Sequence, residues 1–105
     1  MTAAVTSNMA SAVAGVDGVN FTCDDIPVND ETAFDADEYS TSPAIVYRFR
    51  ARKSGEDDLL SEPFSPNGGT HSWYAIVFPA SGTWAVSLRD VSDDSEVATM
   101  NQTVT

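Results

Sequence analysis

The sequence has few of the residues on which most protein chemistry depends. Its 105 residues include one cysteine, Cys23, one histidine, His71, and one lysine, Lys53. A single cysteine excludes an intrachain disulfide, and a structural zinc site needs more Cys and His ligands than the chain contains. We interpret Cys23 as a buried small hydrophobic residue, with a reactive thiol as the alternative.

Catalytic motifs are missing as well. A Ser-His-Asp arrangement would have to use His71 as its base, but no serine lies in a G-x-S-x-G sequence. The turn-forming residues Asn67, Gly68 and Gly69 come just before His71 and predict a histidine in a surface turn. A single domain of this length leaves little room for the cleft in which paired carboxylates hydrolyse a glycoside. We therefore expect no enzymatic activity and no cofactor.

Positive charge is also scarce, because 16 acidic residues face 5 basic ones and the net charge is −11 at pH 7. Contacts with nucleic-acid phosphates need clustered Lys and Arg side chains, and anionic membranes repel an acidic protein. The chain has no apolar run long enough to span a membrane, and residues 1–16 lack the basic residue and apolar stretch of a signal peptide. We expect no direct contact with nucleic acid or membrane.

What the chain does have is apolar–polar alternation between turn signals. In residues 83–90, Trp84, Val86 and Leu88 share one face and Arg89 lies on the other, which is typical of a half-buried strand. Similar runs predict the strands 19–23, 44–53, 70–78 and 96–105, with a short edge strand beginning at Leu59 and Leu60. About six or seven short strands separated by turns favour a sandwich. The predicted fold is an all-β, immunoglobulin-like antiparallel β-sandwich with an N-terminal arm.

The first residues fit two structures. Val5, Met9 and Val13 are spaced as on one face of a helix, and Ser7 and Gly15 could begin and end it. An extended arm is equally compatible with the composition. We therefore divide the chain into an N-terminal arm or short helix, residues 1–18, and the sandwich, residues 19–105.

The strand 70–78 is apolar on both faces. Simple alternation places Trp73, Ala75 and Val77 on one face and Tyr74, Ile76 and Phe78 on the other. A sheet with one wet face should alternate, so the second face needs a cover. Either the N-terminal arm or the acidic loop 24–43 provides it, or a partner subunit does.

Four of the five basic residues lie together, and alternation places Arg48, Arg50 and Arg52 on one face of the strand 44–53. This ladder needs anionic partners, because like charges opposed on neighbouring strands are unfavourable. The acidic loop or the 56–58 turn could supply them within the chain. Alternatively the ladder is a docking stripe for an acidic surface, since arginine pairs carboxylates bidentately. Our predicted interface residues are Arg48, Arg50, Arg52, Trp73 and Tyr74.

Two acidic loops suggest calcium binding as an alternative, because hard cations prefer clustered oxygen ligands. Their carboxylates belong to Asp35, Asp37, Glu38, Asp90, Asp93, Asp94 and Glu96. Neither loop has the spacing of an EF-hand, and aspartate is common in turns for conformational reasons. Our main prediction includes no metal.

Residues 81–90, with the sequence Ser-Gly-Thr-Trp-Ala-Val-Ser-Leu-Arg-Asp, and the final strand 96–105 resemble the end of bacterial and viral immunoglobulin-like domains. In those domains a Gly-x-aromatic-x-Val-x-Leu strand leaves a turn and is followed by a hairpin. Residues 44–52 resemble their central strand, so the resemblance covers residues 44–105. Such domains occur as small accessory proteins on the capsids or tails of tailed viruses. The resemblance implies a decoration role and no catalytic residues.

We therefore expect a structural interaction protein of the virion, a capsid decoration or tail-associated protein of a tailed virus. Its partners would be viral capsid or tail proteins and copies of itself in a homo-oligomer. The alternative is an extracellular carbohydrate- or surface-binding module, in which Trp73 and Tyr74 form a stacking platform and the aspartate loops bind calcium.

Overall fold

The computed structural model describes residues 3–27, 46–65 and 69–105, and in these parts it contains strands and turns but no helix. In particular, these residues form no helix that is long and apolar enough to cross a membrane. The strands are β1 (Ala4–Ser7), β2 (Ser11–Ala12), β3 (Val19–Asp24), β4 (Tyr47–Arg52), β5 (Leu59–Leu60), β6 (His71–Ile76), β7 (Gly82–Asp90) and β8 (Glu96–Val104).

The strands form two sheets that pack face to face. The first has the order β1-β3-β6 and the second the order β2-β8-β7-β4-β5. Neighbouring strands are antiparallel except β2 and β8, which are parallel. Alternating side chains from the two sheets meet between them, as in an all-β sandwich. The predicted fold class is confirmed.

The N-terminal segment contains strands and not the short helix that its apolar spacing allowed. β1 pairs with β3 in one sheet, and the chain then crosses so that β2 pairs with β8 in the other. The carboxamide of buried Gln102 donates a hydrogen bond of 3.1 Å to the carbonyl of Met9 at the crossing. Val5 is buried, whereas Val13 is exposed. Residues 4–12 are therefore built into both sheets as the first strand of the sandwich.

The core lies between β3 of one sheet and β4 and β7 of the other. The faces predicted from the alternation of apolar and polar residues in these three strands are confirmed. The fully buried side chains of the core include Val19, Phe21, Cys23, Phe49, Ala51, Trp84, Val86 and Leu88. The indole N–H of Trp84 donates to the carbonyl of Ala80 at 3.0 Å, so its one polar group is satisfied inside the core. In β8, Val104 and the polar Gln102 are both buried.

A β-bulge interrupts the alternation of β6. Val19 pairs with Ile76 and Phe21 with Trp73, so β6 has one residue more than β3 between these pairs. The extra residue, Ala75, has a φ of 59°, and its N–H donates to the Asn20 side-chain oxygen at 2.9 Å.

The bulge makes the predicted faces of this strand wrong. Trp73 and Ile76 pack against the core, and Phe78 is buried within it. Tyr74, Ala75 and Val77 are exposed. Most of the apolar side chains that were expected on the second face thus lie inside the sandwich.

Candidate interaction surfaces

The outer side of the five-stranded sheet carries all four arginines of the chain. β4 places Arg48, Arg50 and Arg52 on this side, because Tyr47, Phe49 and Ala51 are buried on the other. Arg89 of β7 is the direct cross-strand partner of Arg48 and therefore lies on the same side. We call these four residues the arginine face. The structure thus brings the predicted ladder together and adds Arg89.

Three of these arginines have carboxylate partners within the chain. Arg52 binds Asp58 bidentately, with Nε–Oδ1 and Nη2–Oδ2 distances of 3.0 and 2.8 Å. These bonds hold the pKa of the Asp58 carboxyl below its usual value. Arg50 lies 3.5 Å from Asp94, and Arg89 lies 3.3 Å from the same carboxylate. The ladder is therefore partly neutralised by the 56–58 turn and the β7–β8 hairpin.

Arg48 differs from its neighbours. Among the described residues, no carboxylate lies within ion-pair distance of Arg48, and none accepts a hydrogen bond from its buried Nε. Arg48 also stands directly opposite Arg89, which places two positive charges side by side. The buried Nε of Arg50 likewise has no hydrogen-bond partner in the described part of the chain. Buried donors of this kind favour an anionic or carbonyl acceptor from outside the described residues.

Charge is distributed unequally between the two sheets. The described residues of β1, β3 and β6 and of the turns beside them, 3–10, 13–27 and 69–81, contain Asp17, Asp24 and Asp25 but no Lys or Arg. Every basic residue of the chain is in residues 48–53 or at Arg89. The two outer surfaces therefore differ in chemistry, one lined by guanidinium groups and the other acidic and apolar.

Trp73 and Tyr74 point to opposite sides of their strand. The Trp73 ring stacks on Phe49, with centroids 5.8 Å apart and an interplanar angle of 10°, and lies 6.0 Å from Phe21. Tyr74 is 68% exposed on the outside. The expected platform of two adjacent aromatic rings for a sugar does not form, because consecutive residues of a strand face opposite ways.

The carboxylates of the β7–β8 hairpin are engaged in the turn itself. Asp90 accepts hydrogen bonds from the N–H and the hydroxyl of Ser92 at 2.9 and 2.7 Å. Asp93 accepts from the Ser95 N–H at 3.0 Å, which lowers the pKa of Asp93. Asp94 pairs with arginine, as described above.

Calcium gains no support from the part of the chain that the structure describes. In that part, no three Asp, Glu, His or Cys side chains are grouped so that they could hold a metal ion. Three of the calcium candidates, Asp35, Asp37 and Glu38, lie outside the described residues.

The side chains of His71 and Cys23 both pack within the folded chain. The His71 ring stacks on Phe64 at a centroid distance of 3.7 Å, and burial lowers its pKa. His71 begins β6, so the prediction of a surface-turn histidine was wrong; nothing in the local sequence indicated the contact with Phe64. Cys23 is fully buried, and burial raises its pKa to about 11. The thiol is therefore protonated and inaccessible at neutral pH, as expected of a core residue.

No family model matches this chain, and no curated protein matches it either. Its function is therefore inferred from the geometry and charge of its own residues.

Proposed function

We propose that this chain is a non-enzymatic structural and interaction protein, and that it serves as an accessory protein of a tailed virus, attached to the capsid or the tail. The observation that carries the proposal is the arginine face, which gathers Arg48, Arg50, Arg52 and Arg89 on one side of a sheet in an acidic protein. A sheet face with clustered guanidinium groups suits contact with another protein better than binding of a small molecule, which favours a concave and mostly apolar site.

The chemistry of this face favours an acidic partner surface. The side chains of Arg50 and Arg89 are only 14% exposed, so each is largely packed against its neighbours. Ordered guanidinium groups pair carboxylates bidentately with a smaller entropy cost than flexible lysines. Since no described residue accepts a hydrogen bond from the buried Nε atoms of Arg48 and Arg50, acceptors on a docked protein would satisfy them.

The resemblance to viral and bacterial immunoglobulin-like domains gives the proposed setting. Its motif corresponds to β7, where Gly82, Trp84, Val86 and Leu88 follow the Gly-x-aromatic-x-Val-x-Leu pattern, and to the hairpin into β8. Accessory proteins with such domains decorate virus shells and tails. We infer that the partners of this chain are viral structural proteins or further copies of the chain.

The alternative, an extracellular carbohydrate- or surface-binding module, has less support from the geometry. Of the two aromatic residues that would stack on a sugar, Trp73 packs in the core and only Tyr74 is available outside. A single exposed tyrosine is common on protein surfaces.

The composition of purified virus particles tests the proposal. Particles from the source would be separated on a density gradient, and the chain would be quantified by mass spectrometry relative to the main shell protein. We expect the chain to sediment with particles at a fixed ratio set by the particle's symmetry. An abundant protein of the host cell serves as the control for trapping. A chain that stays at the top of the gradient, or follows the control, would contradict the proposal.

A further inference from the structure

The outer edge of β6 carries backbone groups that the described residues do not pair. β6 stands at the end of the three-stranded sheet, with β3 as its neighbour. The Asn8 N–H donates to the Asn20 carbonyl, so the backbone of Asn20 points towards β1. The direction of the backbone N–H and C=O groups alternates along a strand, so those of Phe21 and Cys23 point towards β6. Their partners in β6 are Trp73 and His71, whose backbone groups therefore point towards β3. The N–H and C=O groups of Ser72 and Tyr74 therefore point away from the sheet.

This edge has no charged residue or proline to keep another strand away. The sequence of β6 is His-Ser-Trp-Tyr-Ala-Ile, whereas exposed edges are usually protected by Lys, Pro or a very short strand. The bulge at Ala75 ends the regular part of the edge. A short regular stretch remains, sufficient for an added strand that would pair with the backbone of Ser72 and Tyr74.

Exposed apolar side chains surround the edge. Tyr74 and Val77 are 68% and 47% exposed. The Gly15 N–H donates to the Phe78 carbonyl at 2.8 Å, which holds the turn 13–17 beside the end of β6. That turn contributes Val16, which is 71% exposed. Apolar groups beside an edge that the described residues leave unpaired are suited to the side chains of an incoming strand.

Charge identifies the kind of strand that fits. This side of the molecule contains only acidic charge in the described residues, at Asp17, Asp24 and Asp25. The same side of a second copy is a poor partner for this edge, because its acidic charge would repel that of the first copy. A segment that carries lysine or arginine is attracted for the same reason.

We propose that the edge of β6 binds an extended segment of a partner protein, with alternating apolar and basic side chains, as a fourth strand of the three-stranded sheet. Backbone hydrogen bonds to Ser72 and Tyr74 give the segment its direction, and contacts with Tyr74, Val77 and Val16 bury its apolar side chains. This surface is distinct from the arginine face, so the proposal does not depend on the virion assignment.

Two synthetic peptides probe the edge, one of alternating lysine and valine and one of alternating glutamate and valine. Each is titrated into the isotope-labelled full chain and followed by NMR. We expect the lysine peptide to shift the amide signals of residues 71–77 and to slow hydrogen exchange at Ser72 and Tyr74. The glutamate peptide should bind about ten-fold more weakly or not at all, because of charge repulsion.

A matched pair of variants separates the backbone from the side chain. Tyr74→Pro removes the outward N–H, which an edge position tolerates, while Tyr74→Ala keeps it. We expect Tyr74→Pro to weaken the lysine peptide about ten-fold more than Tyr74→Ala does, because the peptide carbonyl is left unpaired. Both variants should keep the wild-type circular dichroism and thermal transition.

Several results would overturn this proposal. Equal binding by the two variants, or signal shifts confined to the arginine face, would exclude strand addition at β6. Unfolding of Tyr74→Pro would show that the fold itself uses this N–H. A dimer of the wild-type chain in light scattering that Tyr74→Pro abolishes would make a second copy the occupant. None of these results bears on attachment to virus particles.

Discussion

His71 derives its environment from a contact between distant parts of the chain. Its ring lies parallel to that of Phe64, at an angle of 11°. Two backbone hydrogen bonds of 2.8 Å between Phe64 and Tyr47 fix Phe64 in turn. The protonated imidazolium would lose hydration against this aromatic surface, which is the physical reason for the lowered pKa of His71.

The folded protein should therefore lose stability as the solution becomes mildly acidic. The unfolded chain binds a proton at His71 near the ordinary pKa of 6.5, whereas the folded chain resists it. The free energy of unfolding is then highest above about pH 6.5 and decreases as the pH falls from there to the lower pKa of the folded state. Urea denaturation of the wild type between about pH 7.5 and pH 5 measures the decrease.

The variant His71→Phe is the control for this pH dependence. It keeps an aromatic ring against Phe64 but has no group that titrates in this range. We expect its stability to change less than that of the wild type between the same two pH values. The carboxyls of Asp58 and Asp93 do not interfere, because their lowered pKa values move their effect below their ordinary value of 3.8. Identical slopes for the two proteins would contradict this account of His71.

At the scale of the elements, β6 shows where alternation fails. The patterns of β3, β4 and β7 predicted their buried faces, because each strand runs without interruption against the opposite sheet. In β6 the inserted residue depends on neighbours that are distant in sequence. The side chain of Asn20 caps the Ala75 N–H, and a Cβ added at Gly18 would lie 3.3 Å from the Ala75 Cα. A single sequence gives no local signal for such an insertion.

The bulge leads to a prediction for Ala75, whose φ of 59° is one that alanine adopts at a cost. Ala75→Gly should raise the free energy of unfolding by up to about 1 kcal/mol, because glycine has no such cost. Ala85→Gly, at an exposed position in the middle of β7, should instead lower it by about 0.5–1 kcal/mol. Chemical denaturation of both variants measures the difference. Destabilisation of equal size in both would mean that Ala75 is not strained.

The N-terminal segment could not be assigned from sequence for a different reason. The spacing of Val5, Met9 and Val13 satisfies a helix and an extended strand alike. Which of the two structures forms depends on partners at the other end of the chain. The Gln102 side chain forms a hydrogen bond with Met9, and the Thr105 backbone forms hydrogen bonds with Ala12 and Ala14. Long-range pairing of this kind leaves no trace within the segment itself.

At the scale of the molecule, the sequence predicted the arginine ladder but not the complete arginine face. Arg48, Arg50 and Arg52 share a face because of alternation, which is a local property. Arg89 joins them through the register of β4 and β7, and register is set by the packing of both sheets. The ion pairs with Asp58 and Asp94 likewise depend on where two turns meet the sheet.

The sandwich presents two outer surfaces of different chemistry. Guanidinium groups line the five-stranded sheet, whereas the described part of the other side has an unpaired strand edge with apolar and acidic groups around it. The sheets lie back to back, so partners on the two surfaces would not compete for space. An accessory protein with this arrangement could attach to a particle through one surface and engage a second protein through the other.

Attachment through the arginine face is the central claim, and the most direct measurement is rebinding of the purified chain to particles stripped of it. Arg48→Glu reverses one charge and places the new carboxylate opposite Arg89, which should not weaken the fold. Lys53→Glu makes the same change in net charge at a residue that lies beside Gly82, beyond the end of β4. We expect Arg48→Glu to bind the particles at least about ten-fold more weakly than the wild type, and Lys53→Glu to bind them nearly as well as the wild type. The affinity of the wild type should decrease at high salt. Equal binding by both variants, or an equal loss in both, would contradict docking through the arginine face.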